Sequence, residues 1–147
     1  MAITSAVCTS FKVELLKGVH DFTASSGNTF NLALYTSSAS LGAATTAYTT
    51  SNEVSGSGYT AKGNALTSVT PVASSTTAVC DFNDTSFTSA SFTARGCMIF
   101  NDSATGDPAC VIIDFGSDKT VTSGTFTIQF PTADSSNAII RLSLIHI

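Results

Sequence analysis

Apolar residues follow two different rhythms along the chain. Up to Phe22 the spacing is helical: Phe11, Leu15 and Leu16 share a face across residues 11–17, Ser10 stands where an N-cap belongs, and Gly18 where a helix stops. One short N-terminal helix is expected there. Beyond Phe22 the period drops to two. Phe30, Leu32 and Leu34 alternate with Asn31, Ala33 and Tyr35, with small polar residues on both sides, which predicts a half-buried strand. Residues 66–72 and 78–82 flank Ser74-Ser75-Thr76 and read as a hairpin. Its first strand carries Pro71, which cannot donate to a ladder and so belongs at an edge or a bulge. Residues 92–100 and 109–115 flank a loop rich in Asp, Gly and Asn and make the clearest hairpin. Phe126, Ile128 and Phe130 alternate with Thr125, Thr127 and Gln129, and residues 138–142 supply a last apolar strand. Six or seven short strands without an intervening helical period predict an all-β fold. The expected form is an antiparallel β-sandwich, jelly-roll or Ig-like, with one short N-terminal helix. Residues 37–63 keep neither rhythm and are expected to be irregular loop or edge strand reaching toward a partner.

Composition narrows the partners. Of 147 residues, 43% are hydrophobic and only 11% charged, enough for one core and one domain, assigned to residues 1–141. With 22 Ser and 23 Thr, hydroxyls carry most of the polarity, and a net charge of -4 with recurrent Phe, Ile, Val and Leu argues against disorder. The six basic residues Lys12, Lys17, Lys62, Arg95, Lys119 and Arg141 are scattered, which disfavours nucleic acid. No apolar run approaches the roughly 20 residues that cross a bilayer. The first ten residues lack both the basic head and the apolar centre of an export signal, so the chain reads as soluble and unexported.

Each enzymatic constellation is incomplete. Cys8, Cys80, Cys97 and Cys110 lack C-x-x-C spacing and only His20 and His146 accompany them, so neither a metal nor another cofactor is expected. A simple-register hairpin about the 101–107 loop would set Cys97 opposite Cys110 for a cross-strand disulfide; the stronger reading leaves the thiols reduced and buried. Residues 56–61 match G-x-G-x-x-A but lack a following helix, so a glycine turn is favoured. His20 beside Asp21 has no serine elbow to serve and reads as structural. Asp102 with Asp107, and Asp81 with Asn83 and Asp84, are oxygen-rich without calcium-loop spacing, and turn chemistry is the default for both. No catalytic residue is assigned.

Six segments taken together carry a resemblance: FKVELLKGVHDF (11–22), FNLALYT (30–36), AYTTSNEVSGSGYT (47–60), FTARG (92–96), DFGSDK (114–119) and FTIQFP (126–131). In this order they resemble small structural proteins of tailed bacteriophages. The resemblance covers residues 10–141 and implies a virion component made in the host bacterial cytoplasm, with no catalytic residue to carry over. Residues 142–147 depart from it; LSLIHI reads as the translation of a sequencing adapter, the alternative being a genuine last strand.

The expected function is therefore a non-enzymatic capsid decoration, or cement, protein. Its partner would be the major capsid protein, and symmetry alone suggests a homo-oligomer, taken as a trimer. Residues 45–62 are the candidate interface, with Tyr48, Asn52, Glu53, Tyr59 and Lys62 as its side chains. The alternatives are a tail or head-to-tail component, a carbohydrate-binding host-recognition module using Tyr48 and Tyr59, and, least favoured, a lysis hydrolase.

Overall fold

Two long strands dominate the computed structural model, which describes residues 2–144. The elements in chain order are β1 (Ala6–Val7), α1 (Thr9–Leu16), β2 (Phe30–Tyr35), β3 (Asn64–Ala65), β4 (Ser68–Ser74), β5 (Thr77–Phe82), β6 (Thr85–Asn101), β7 (Ala109–Ile128) and β8 (Ile140–Leu142). They form one sheet in the order β1-β7-β6-β2-β3 and a second in the order β4-β5-β8, and every pairing between these strands is antiparallel. The chain is all-β and sandwich-like, with one short helix.

The clearest expected hairpin exists and is far longer than its sequence pattern. Residues 125–130 do not begin a separate strand; Phe126 and Ile128 continue β7, opposite Phe87 and Thr85 of β6. No turn interrupts β7, because local irregularities absorb its extra residues. Gly116 (φ 83), Ser89 (φ 48) and Ser123 (φ 44) sit beside the register shifts, where bulges take up the mismatch.

The β4–β5 hairpin forms as expected, and Pro71 has both properties anticipated for it. β4 is an edge strand, and its register shifts between Val69 and Val72. Leu142, the first residue of the supposed adapter segment, pairs with Ala78 at the end of β8. Ser143 and Leu144 are exposed, and residues 145–147 of that segment lie outside the described residues.

Three further expectations fail for physical reasons. α1 begins before Ser10, with Cys8 at the N-cap and no side-chain cap bond, so Ser10 lies inside the helix and its buried hydroxyl has no partner. Phe11 is buried and Leu15 packs on the core, but Leu16 is 92% exposed. The stop is as expected: Gly18 (φ 73) donates to the Leu15 carbonyl at 3.1 Å and lets Val19 reach that of Glu14 at 3.0 Å. β2 is not half-buried. All six residues are inside, because β2 lies between β6 and β3 and the 37–63 segment folds along it. The Val54 amide donates to the Leu34 carbonyl, and the Tyr35 hydroxyl donates to the Thr49 carbonyl at 2.6 Å.

Aromatic rings join the two sheets. Phe22 stacks on Phe30 of β2 with centroids 4.2 Å apart, and Phe82 of β5 lies 6.0 Å from Phe30. Full burial of one such side chain stabilises by about 1.5–3 kcal/mol, and the contacts between rings add to it. Gly63 permits the tight passage of the middle segment: its φ is 65, and a Cβ there would collide with the Leu32 carbonyl oxygen. Among the described residues, no helix is long and apolar enough to cross a membrane.

Candidate functional site

Four of the five expected interface residues converge, and they converge on one another. Glu53, held by a bridge to Tyr35 at the end of β2, accepts the Tyr48 hydroxyl on Oε2 at 2.6 Å. Its Oε1 accepts both the Tyr59 hydroxyl (2.7 Å) and the Lys62 amide (2.8 Å). The Tyr59 oxygen in turn accepts the Leu34 amide at 2.9 Å, so one carboxylate fixes the return path of residues 48–62 onto β2. Burial, helped by the neighbouring carboxylate, raises the Tyr48 phenol to about 12 and pushes the Tyr59 phenol further upward. Asn52 stands apart: it is exposed, has positive φ, and its carbonyl accepts the Thr36 amide.

The rings of both tyrosines are also engaged. Tyr48 stacks on Phe100 at 4.8 Å, and Tyr59 packs between Phe87 and Phe92 at 5.4 and 5.9 Å. That packing takes both aromatic faces away from the sugar-platform role considered for them.

Lys62 extends the cluster to the β6–β7 loop. Its Nζ lies 2.7 Å from Asp102 and 2.8 Å from Asp107, over the rings of Tyr48 and Phe100. Its hydrogen bonds to Asp102 and then Asp107 raise the ammonium pKa. The pair of aspartates weighed as a weak calcium site thus faces a protein cation. Among the described residues, no group of three or more His, Cys, Asp or Glu side chains is placed to hold a metal. Residues 56–61 form a loop against Ser91 of β6, without the strand and helix that a phosphate cradle requires.

A second polar cluster, invisible to spacing arguments, surrounds His20, whose side chain is fully buried. Asn101 Oδ1 accepts the Ser103 and Ala104 amides, so its Nδ2 must be the donor toward Asn28 Oδ1 and His20 Nδ1, both at 3.0 Å. Nδ1 of His20 is therefore the unprotonated nitrogen, and Nε2–H donates to Glu14 Oε1 at 3.2 Å. Cys110 Sγ lies 4.0 Å from Nδ1. Thiol, imidazole and carboxylate are thus neighbours, but Cys110 is wholly buried and burial raises its pKa, so in the closed fold it rests as the thiol. His20 is a joint between α1 and the β6–β7 loop.

The described cysteines are all free. Cys97 does not face Cys110: it pairs with Ile113, because the turn is centred later than the symmetric register assumes, with Phe100 opposite Ala109, and the register shifts once more between Ile99 and Phe100. One surface depression, about 620 Å³, is shallow and bordered by small residues and hydroxyls such as Thr4, Ser40, Ala44, Thr45 and Thr46. Comparison of the chain with protein-family models, with curated proteins and with solved structures finds no match.

Proposed function

We propose that the protein is a non-enzymatic structural component of a tailed-phage virion, a capsid decoration protein that binds the outer surface of the head lattice. The observation that supports this reading most directly is the outer face of the β6–β7 ribbon. Ser86 meets Thr127 at 2.9 Å and Thr93 meets Thr120 at 2.8 Å, hydroxyl to hydroxyl across the strands, and all four residues are exposed. Underneath, Phe87, Phe92 and Phe126 pack together with centroids 5.2–6.4 Å apart and stiffen the ribbon. A face made mostly of neutral hydroxyls, with the Arg95 ion pairs to Asp114 and Asp118 beside Thr93, adheres to another protein at a modest desolvation cost, and repeated display on a lattice multiplies modest contacts. The ribbon takes over this role from residues 45–62, whose principal polar side chains are already paired.

Immunogold labelling of purified particles, with copies counted per virion, tests the proposal. Hundreds of copies over the shell support decoration. A handful at the vertex or along the tail transfers the protein to a tail or head-to-tail role, and no labelling discards both.

A further inference from the structure

The β1–β7 register brings together two cysteines other than the pair suggested by hairpin symmetry. Ala6 pairs with Ile112 and Val7 with Val111, and the next position joins Cys8 to Cys110, whose carbonyl accepts the Cys8 amide at 2.9 Å. Register-opposed residues in antiparallel strands have Cα atoms about 4.5–5.5 Å apart, inside the span a disulfide bridges. Both residues are wholly buried, Cys8 Sγ toward the Gly42 carbonyl and Cys110 Sγ toward that of Pro108. Cys97 faces Ile113 and Leu34 across its own sheet, and Cys80 belongs to the other sheet.

We infer that Cys8 and Cys110 are a closable dithiol, which a small-molecule disulfide converts to an intramolecular cross-link tying the N-terminal strand to the central hairpin. Access requires the N-terminal strand to lift: β1 is only two residues long at the end of the sheet order, and the backbone bonds of Thr4 to Leu41 and of Thr9 to Ala43 are what hold its outer side, so its opening costs less than that of the long hairpin. In the open form the Cys8 thiolate attacks the reagent; its sulfur bonds to one reagent sulfur, the S–S bond breaks, and one reagent thiolate departs. When Cys8 comes back beside Cys110, the Cys110 sulfur attacks the Cys8 sulfur, the S–S bond to the reagent breaks, and the departing second thiolate takes the Cys110 proton. Two protein thiols lose two electrons and two protons, and the reagent disulfide is reduced to two thiols. This inference is independent of the proposed virion role.

The test incubates the folded full-length protein with oxidised glutathione, blocks residual thiols, and digests with a protease that cleaves before Asp. Each cysteine then falls in its own peptide: residues 1–20, 21–80, 84–101 and 107–113. The expected product joins 1–20 to 107–113, two hydrogens lighter than the separate peptides, with no disulfide-linked dimer on non-reducing denaturing gels. Cys97→Ser and Cys80→Ser retain the link, and Cys8→Ser and Cys110→Ser abolish it. The closed form melts higher and returns to the original midpoint on reduction. A link to 84–101, a glutathione adduct on Cys8 that never closes, or a closed form that melts lower than the dithiol would overturn the inference. The wild-type peptide map decides the pairing even where a serine variant fails to fold.

Discussion

The Tyr59 hydroxyl donates to Glu53 Oε1 at 2.7 Å while its oxygen accepts the Leu34 amide. Through these two bonds a side chain from an irregular segment completes the edge of a fully buried strand. The middle of the chain is thereby part of the body, although it has almost no regular structure of its own.

Tyr59→Phe leaves the Leu34 amide and one Glu53 lone pair without their partner while preserving the ring that packs on Phe87 and Phe92. The expected loss is about 1–3 kcal/mol, the usual cost of an unpaired buried polar group. Urea unfolding with an unchanged slope and a lower midpoint would show it. A midpoint equal to wild type would mean that water replaces the hydroxyl and that the clasp is not what orders residues 48–62.

Asn101 is the hub of the His20 cluster, with two accepted amides and two donated bonds. Asn101→Ala is expected to cost about 2–4 kcal/mol, at the upper end for a single substitution, because His20 Nδ1 and two loop amides lose their partner together. Asn101→Asp keeps both accepted amides but removes the donor, and should fall between wild type and alanine in chemical denaturation. If Asp destabilises as much as Ala, the donor side of the amide outweighs the loop contacts.

Period-two patterning revealed the strands because burial on one face leaves a direct trace in the residues, and Gly18 and Pro71 announced their positions through their own backbone limits. β2 was misjudged as half-buried because its second cover, residues 37–63, has no periodicity to read. The continuity of β7 was hidden for the same kind of reason: bulges at Gly116 and Ser123 look like turns in a one-dimensional pattern. Tyr48, Asn52, Glu53, Tyr59 and Lys62 are legible together as candidate interface side chains of one segment, but that four of them bind one another depends on β2 being central. The Lys62 link to Asp102 and Asp107, and the joining of Glu14, His20 and Asn101, span up to 87 positions along the sequence and leave no local signal.

Ser10 provides a test by sign. As an N-cap its loss would destabilise by about 1 kcal/mol; as an interior helical residue with an unpartnered buried hydroxyl, its replacement should help. Ser10→Ala is expected to raise stability by roughly 0.5–1 kcal/mol, through the removed hydroxyl and the better helix propensity. A lowered thermal midpoint would restore the N-cap assignment.

Stability should hold across neutral pH and fall at both ends. Asp21, Asp114 and Asp134 are held below the ordinary carboxylate value, by the Thr23 side chain, the Gly116 amide and the Asn137 side chain respectively. Their contribution is present above the unfolded value of 3.8 and disappears as pH falls through the lower folded values; Asp21 is exposed and Asp114 and Asp134 are partly so, so the acid limb is shallow. At the alkaline end burial raises Cys8 and Cys80 from 9.0 to about 11 and Cys97 to about 12, with Tyr48 raised from 10.0 to about 12. The unfolded chain ionises first, so this stability is complete below pH 9.0 and is lost between there and about 12. Thermal midpoints followed by circular dichroism should decline more steeply above pH 9 than below pH 4. A flat alkaline limb would mean that the thiols reach water without unfolding.

The adhesive face can be separated from the fold that carries it. Thr120 is exposed on β7 and its hydroxyl meets only that of Thr93 across the ribbon, so Thr120→Glu should change stability by no more than about 0.5–1 kcal/mol. In the proposed attachment the same change buries a charge against a neutral lattice, where desolvation costs several times more than the lost hydroxyl contact. Particles stripped of the protein and refilled with Thr120→Glu should therefore carry fewer copies than those refilled with wild type at equal concentration, while Thr93→Ser, which keeps a hydroxyl, should refill normally. Equal occupancy by the glutamate variant would move the attachment surface away from the ribbon, most simply to the shallow depression bordered by Thr4, Ser40 and Thr46.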